Sequence, residues 1–207
     1  MQQFLLVAAA HFLALLSPGP DFFLIARTSL SAGWRVASGA CLGIALANGA
    51  FIVAAFAGLS TLQPDSRAFA ALQLVGCAYL VYLGVLFIRH AGRTALAPAT
   101  ADGSSTASWW RAAGMGFLSG ILNPKNALFY ASLAAMLSGA HTATGWKVAY
   151  GAWMFGVVLL WDLLVAATIG NRAVLGRFAR ALPWLERVSG AALILLAAGV
   201  AGALVLG

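Results

Sequence analysis

Two long apolar stretches of this chain are each interrupted by proline next to a charge, at Ser17-Pro18-Gly19-Pro20-Asp21 and at Asn123-Pro124-Lys125-Asn126. A helix in lipid gains nothing from such an interruption. Proline removes a backbone donor and clashes with the preceding turn, and an ionised side chain at membrane depth is costly. Broken, charged helices are tolerated there when they face protein or a watery cavity rather than lipid. Both interruptions must therefore be turned inward, and together they point to a transporter.

The composition names lipid as the solvent. Of 207 residues 62% are hydrophobic and 8% charged, with a mean hydropathy of +0.93, against about 25% charged in a soluble domain. The net charge of +7 would suggest nucleic acid in a soluble protein, but its placement gives a different reading. Cys41 and Cys77 each stand alone in an apolar run without CxxC spacing, and read as small packed residues rather than a redox pair or metal site. Met1-Gln2-Gln3 carries no basic residue, so the first apolar run reads as a retained helix, not a cleaved signal peptide.

Six runs are long enough for a span, which needs about 20 residues. They lie near 3–31 (broken), 36–60, 68–88, 112–138 (broken), 145–169 and 187–206. The one real linker follows the third, and its Thr/Ala/Pro/Ser-rich centre, Thr94 to Ser108, reads as a flexible loop. One side of this topology collects Arg27, Arg35, Arg89, Arg93, Arg111, Arg172, Arg177, Arg180 and Arg187, the other only Arg67 and Lys147. By the positive-inside rule both termini face outward and the +7 is mostly cytoplasmic anchoring. Trp34, Trp109, Trp110 and Trp184 fall near the inner boundary and Trp146 near the outer one, as an aromatic belt requires.

The linker divides six spans into three plus three, so the second half is inserted upside down relative to the first. Each half opens on a proline-broken helix. This is the inverted-repeat plan of many secondary transporters, whose discontinuous helices build the substrate site. The expected fold is an all-α six-helix membrane bundle forming a single transport domain over 1–207, with the first repeat at 1–90, a cytoplasmic linker at 91–110 and the second repeat at 111–207. Gly19-Pro20-Asp21 aligns with Asn123-Pro124-Lys125 in this scheme.

Helix rise puts the intramembrane polar groups in two tiers, Asp21 with Asp162 nearer the cytoplasm and Lys125 with Asn48 nearer the outside. Lys125 has no interface nearby to snorkel into, which favours function. Asp21 can equally cap the helix after Pro20, and Asp162 can equally pair structurally, for example with Arg27. Asn48 also reads as interhelical glue, His11 and Ser17 as packing, and Arg27 as an interfacial anchor. The candidate binding or coupling residues are thus Asp21, Lys125, Asp162, Asn48, Asn123 and Asn126. Ser17, Pro18, Gly19, Pro20 and Pro124 are the candidate breaks and hinges. Gly39, Gly43, Gly116 and Gly120, at spacing four, allow close helix approach.

The chain resembles the lysine-exporter (LysE/RhtB) family of small bacterial amino-acid exporters. The resemblance is carried by Ser17 through Leu24, Gly39 through Ala45, Gly76 through Gly84, Gly116 through Phe129, and Arg187-Val188-Ser189-Gly190 opening the last helix. It departs at Ala47-Asn48-Gly49 and at Met136 through Ala140. The resemblance implies a multi-pass protein of the bacterial inner membrane that exports amino acids or close derivatives, driven by the proton-motive force. It implies no enzymatic centre and no cofactor.

The residues suggest how. Lys125 and the positive end of a half-helix after Pro124 favour a carboxylate, and Asp21, in the opposite repeat, an ammonium group. Repulsion between Asp21 and Asp162 suits one of them to carry a coupling proton. The partners are then a small amino acid, protons and lipid, with no nucleic acid; a homo-oligomer is compatible with this. The rivals are a metal-cation exporter, which wants more His, Cys or acids at one depth, and a thiol-disulfide electron carrier, which wants Cys41 and Cys77 beside a break.

Overall fold

The computed structural model describes residues 8–9, 11–12, 14–16, 19–59, 66–92, 108–137, 144–169 and 172–206. Ser17, Pro18, Ser138 through Ala140 and linker residues 93–107 lie outside the described residues. Within them the architecture is all-helical. Residues 8–16 are helical where described, and are followed by α1 (Pro20–Ala32), α2 (Trp34–Leu59), α3 (Arg67–His90), α4 (Trp109–Ile121), α5 (Pro124–Leu137), α6 (Thr144–Thr168) and α7 (Arg172–Leu206). Among the described residues, α2, α3, α6 and α7 are each long and apolar enough to cross a membrane.

Two of the break prolines, Pro20 and Pro124, start helices rather than kink them. Pro20 and Pro124 stand at the first helical position of α1 and α5, where the missing N–H has no intrahelical role and the fixed φ suits the helix. Asn123 caps α5. Its side-chain Oδ1 accepts the Lys125 N–H at 3.1 Å, and its carbonyl accepts the N–H groups of Asn126 and Ala127. Gly19 is the corresponding cap of α1, its carbonyl accepting the Phe23 N–H. The charge in each break, Asp21 or Lys125, therefore holds the second helical position. α4 and α5 have 13 and 14 residues, about 20 Å each, short of the ~30 Å hydrocarbon core.

Glycine sets the helix spacing. An added Cβ at Gly39 or Gly43 of α2 would collide with the Trp109 or Ala113 carbonyl of α4, and one at Gly116 with the Ala40 carbonyl. One at Gly120 would come 2.7 Å from Ala47 Cβ. The expectation from their spacing is met, and the contact is backbone against backbone. Trp109 Nε1–H donates to Ser38 Oγ at 3.0 Å across the same pair. The crossing of α3 and α7 is reciprocal: a Cβ at Gly84 would lie 2.5 Å from the Gly190 carbonyl oxygen, and one at Gly190 2.5 Å from the Gly84 carbonyl oxygen.

The last helix differs from its expected start. α7 begins at Arg172, not near 187, so Arg187 through Gly190 lie inside it, and Pro183 sits in its interior. Arginine lowers the hydropathy of this stretch below that of a span without lowering its helix propensity. Phe178, Leu182, Glu186, Ser189, Leu193 and Ala197 recur at spacings of three and four. All but the half-buried Phe178 are buried, as an inward stripe requires.

The buried side chains form two apolar clusters. One joins Leu80, Leu83 and Phe87 of α3 to Phe129 and Leu133 of α5, Tyr150 and Met154 of α6 and Leu193 of α7. The other joins Phe22 and Ile25 of α1 to Cys41 and Ile44 of α2, Val158 and Val165 of α6, and Ile169 just beyond α6. Large apolar side chains such as Val53, Trp110, Leu160 and Leu195 are exposed at the bundle surface, as a lipid-facing surface allows.

Overpacking against rigid backbone is the predicted weak point. Gly43→Val and Gly116→Val should each lower stability by about 3 kcal/mol, at the upper end for overpacked cores. Gly114→Ala, where an added Cβ meets nothing within 4 Å, should be neutral. Thermal unfolding of the purified protein in detergent measures both.

Candidate functional site

A cavity of about 60 Å³ lies between the two apolar clusters, and Asp21, Asn48, Asn123, Lys125, Asn126 and Asp162 all line it. The six candidate binding residues from four helices and one break thus share one space. Gly19 lines it as well; Pro20 and Pro124 open the helices that reach it, and Ser17 and Pro18 lie outside the described residues. At ~10–15 Å³ per water, this space holds only a few water molecules.

Asp21 is the most heavily bonded of the six. Its Oδ1 accepts the Ser119 hydroxyl at 2.6 Å, and its Oδ2 accepts Asn126 Nδ2–H at 2.8 Å and Asn123 Nδ2–H at 3.1 Å. The carboxylate of one break is therefore held by donors from both sides of the other. Asn123 serves twice, its amide nitrogen donating to Asp21 while its amide oxygen caps α5.

Lys125 reaches a different set. Its Nζ donates to the Ala14 carbonyl at 3.5 Å and lies 4.9 Å from the Phe87 ring centroid, within cation–π range. A Cβ at Gly19 would stand 3.6 Å from the same Nζ, so glycine there leaves the ammonium room against the first break. The first-turn N–H groups of α5 already bond to Asn123. The positive helix end acts on the cavity through its field and Lys125, not through open N–H groups.

Asn48 and Asp162 are buried, at 4% and 8% exposure, yet Asn48 Oδ1 and Asp162 Oδ2 have no hydrogen-bond partner among the described residues. Buried polar atoms are almost always paired, so these two are exceptions, and both belong to residues of the cavity wall. His11, read from sequence as packing, also lines the cavity. Its Nε2 lies 3.0 Å from Tyr130 Oη, and its ring sits among Phe129, Tyr130 and Trp153.

Sequence reasoning missed Ser119 and Tyr130. A signal was present: Ser119, Asn123, Asn126 and Tyr130 follow one another at steps of four, three and four, a single polar stripe running through the break. Arg27 is exposed. Cys41 and Cys77 are free thiols in different apolar clusters. Among the described residues no three His, Cys, Asp or Glu side chains group as metal ligands.

Because three donors converge on Asp21, removing their acceptor is the most damaging single change here. Asp21→Ala should cost about 3 kcal/mol, the scale of lost hydrogen bonds to a charged group, and Asp21→Asn less, since an amide oxygen still accepts. Thermal unfolding of the purified variants checks the order.

Comparison with known proteins agrees with this architecture. The family model described as LysE type translocator matches residues 12–203. The threonine efflux protein of Escherichia coli (strain K12) is 28% identical over 189 residues, covering 91% of this chain and 92% of that protein. That of Salmonella typhimurium is 26% identical over 192 residues, covering 92% and 93%. An uncharacterized membrane protein of Escherichia coli (strain K12) is 25% identical over 176 residues, covering 84% and 78%. No solved structure matches significantly. A family match that runs through both broken helices and every cavity-lining polar residue from Asp21 to Asp162 leaves one assignment: the chain belongs to the LysE type translocator family.

Proposed function

We propose that the protein exports amino acids from the cytoplasm across the bacterial inner membrane as a proton-coupled secondary transporter, threonine being the first substrate to test. The observation that carries this reading is the cavity itself, which Lys125, Asp162 and Asn48 line together between two apolar clusters. An amino acid brings a carboxylate and an ammonium group a few ångströms apart, and such a wall offers a partner to each. Threonine enters from the relatives, two of which are named threonine efflux proteins.

In this proposal Lys125 takes the substrate carboxylate, supported by the field at the start of α5. The acidic side of the cavity, Asp162 with Asp21 behind it, faces the ammonium group. Asp21 also holds the two breaks together through Ser119, Asn123 and Asn126. Asp162 is the better placed of the two acids to exchange a coupling proton, because its Oδ2 has no hydrogen-bond partner among the described residues to give up.

The inverted-repeat plan, 1–90 against 111–207 about a cytoplasmic linker, belongs to the same proposal, with both termini outside. It is supported by the matched caps, Gly19-Pro20-Asp21 against Asn123-Pro124-Lys125. Two reciprocal crossings add to it. Gly84 and Gly190 meet between α3 and α7, while Gly49 meets Phe155 and Gly151 meets Ile52 between α2 and α6. A two-fold relating the halves produces such pairs.

Accumulation of intracellular amino acids in a deletion strain fed dipeptides tests the function, and re-expression should reverse it. If no amino acid accumulates, the exporter reading fails. Lys125→Ala at normal abundance should lose export more than tenfold, on the scale of truncating one member of a buried charge pair; retained export removes the carboxylate role. Asp162→Asn should flatten the dependence of export on external pH. Unchanged pH profiles for both Asp162→Asn and Asp21→Asn would remove the proton-coupling scheme.

A further inference from the structure

We propose that His11, Asn48 and Asp162 form a three-acceptor cradle that selects a primary ammonium group on the substrate. The proposal rests on the exporter reading and deepens it. His11 Nδ1, Asn48 Oδ1 and Asp162 Oδ2 lack a hydrogen-bond partner among the described residues, and all three side chains line the one cavity. Their residues are 1%, 4% and 8% exposed. They come from three separate elements, the helical segment of residues 8–16, α2 and α6, so local sequence does not explain their meeting.

The chemistry of the three atoms is complementary to an alkylammonium. Asn48 and Asp162 present acceptor oxygens. His11 Nε2 lies against Tyr130 Oη. With the Nε2 proton donated there, Nδ1 carries a lone pair and is a third acceptor. The surrounding Phe129, Tyr130 and Trp153 rings hold the imidazole in place. A primary ammonium has three N–H donors, one for each acceptor. Asp21 has less to offer, since its oxygens already accept three hydrogen bonds. His11 thereby becomes a specificity-determining residue: a secondary amine supplies one donor fewer and leaves one buried acceptor unmet, which is costly.

Proteoliposomes assayed with threonine and N-methylthreonine test this. Wild-type protein should prefer threonine by about tenfold or more in apparent KM, the scale of one hydrogen bond to a charged group. His11→Gln keeps a donor for Tyr130 but offers no acceptor at the Nδ1 place. It should raise the threonine KM about tenfold and bring the preference close to one. His11→Asn puts an amide oxygen at the Nδ1 place and should keep most of the preference. A His11→Gln protein with the wild-type preference overturns the cradle while export stands. So do equal defects in both variants with the preference unchanged, which would assign His11 to packing. A wild-type protein that moves no amino acid overturns the exporter reading and the cradle with it.

Discussion

A carboxylate inside a membrane bundle has to be matched by donors, and the match made for Asp21 organises the rest of this protein. Ser119 comes from α4, Asn123 from the break and Asn126 from α5. The three donors therefore fix how α4 and α5 meet, and fix α1 against both. None of these helices is long enough to span alone, so their positions depend on such ties more than on length. Ser29 adds a second tie for α1, its hydroxyl donating to the Ala166 carbonyl of α6 at 2.5 Å. The glycine contacts between α2 and α4 bring the backbones close enough for Asn48 to reach the same space.

The polar ties and the apolar clusters divide the work by direction. Hydrogen bonds around Asp21 are specific in angle and partner, and they sit at the level of the cavity. The clusters on either side of it are held by close packing and carry no polar specificity. Lys125 stands at the boundary, with a long bond to the Ala14 carbonyl and the Phe87 face beside it. The two caps thus match in backbone and differ in the sign of the charge beside them: Asp21 accepts from three side chains and Lys125 donates to the Ala14 carbonyl, both on the wall of one cavity.

Much of this was legible because proline and charge are conspicuous in an apolar sequence. Pro20 and Pro124 announced the breaks, the charges beside them announced the site, and the glycines at spacing four announced the close crossing. The start of α7 was not legible, because the arginines at 172, 177 and 180 look like a loop to a hydropathy count. Only the inward stripe from Phe178 to Ala197 reveals the helix. Ser119 and Tyr130 were hidden differently. A serine or tyrosine in an apolar helix is ordinary, and their meaning depends on partners 98 and 119 residues away, Asp21 and His11. His11 shows the same limit, since packing and binding look alike until its neighbours are known.

The size of the cavity adds a constraint on how export proceeds. About 60 Å³ accommodates a few waters. Widening it is cheaper at the apolar clusters than at the polar ties around Asp21. That difference follows from the bonding. Separating α1 from α4 and α5 at Asp21 would strand a carboxylate and three donors, at a cost of several hydrogen bonds to a charge. Moving Phe22 away from Phe178, stacked with ring centroids 5.3 Å apart, strands no polar group. In a membrane the exposed rings meet lipid tails as apolar as themselves. Movement is cheapest where the contacts are apolar, so the ties at Asp21 are the costlier part of the bundle to separate.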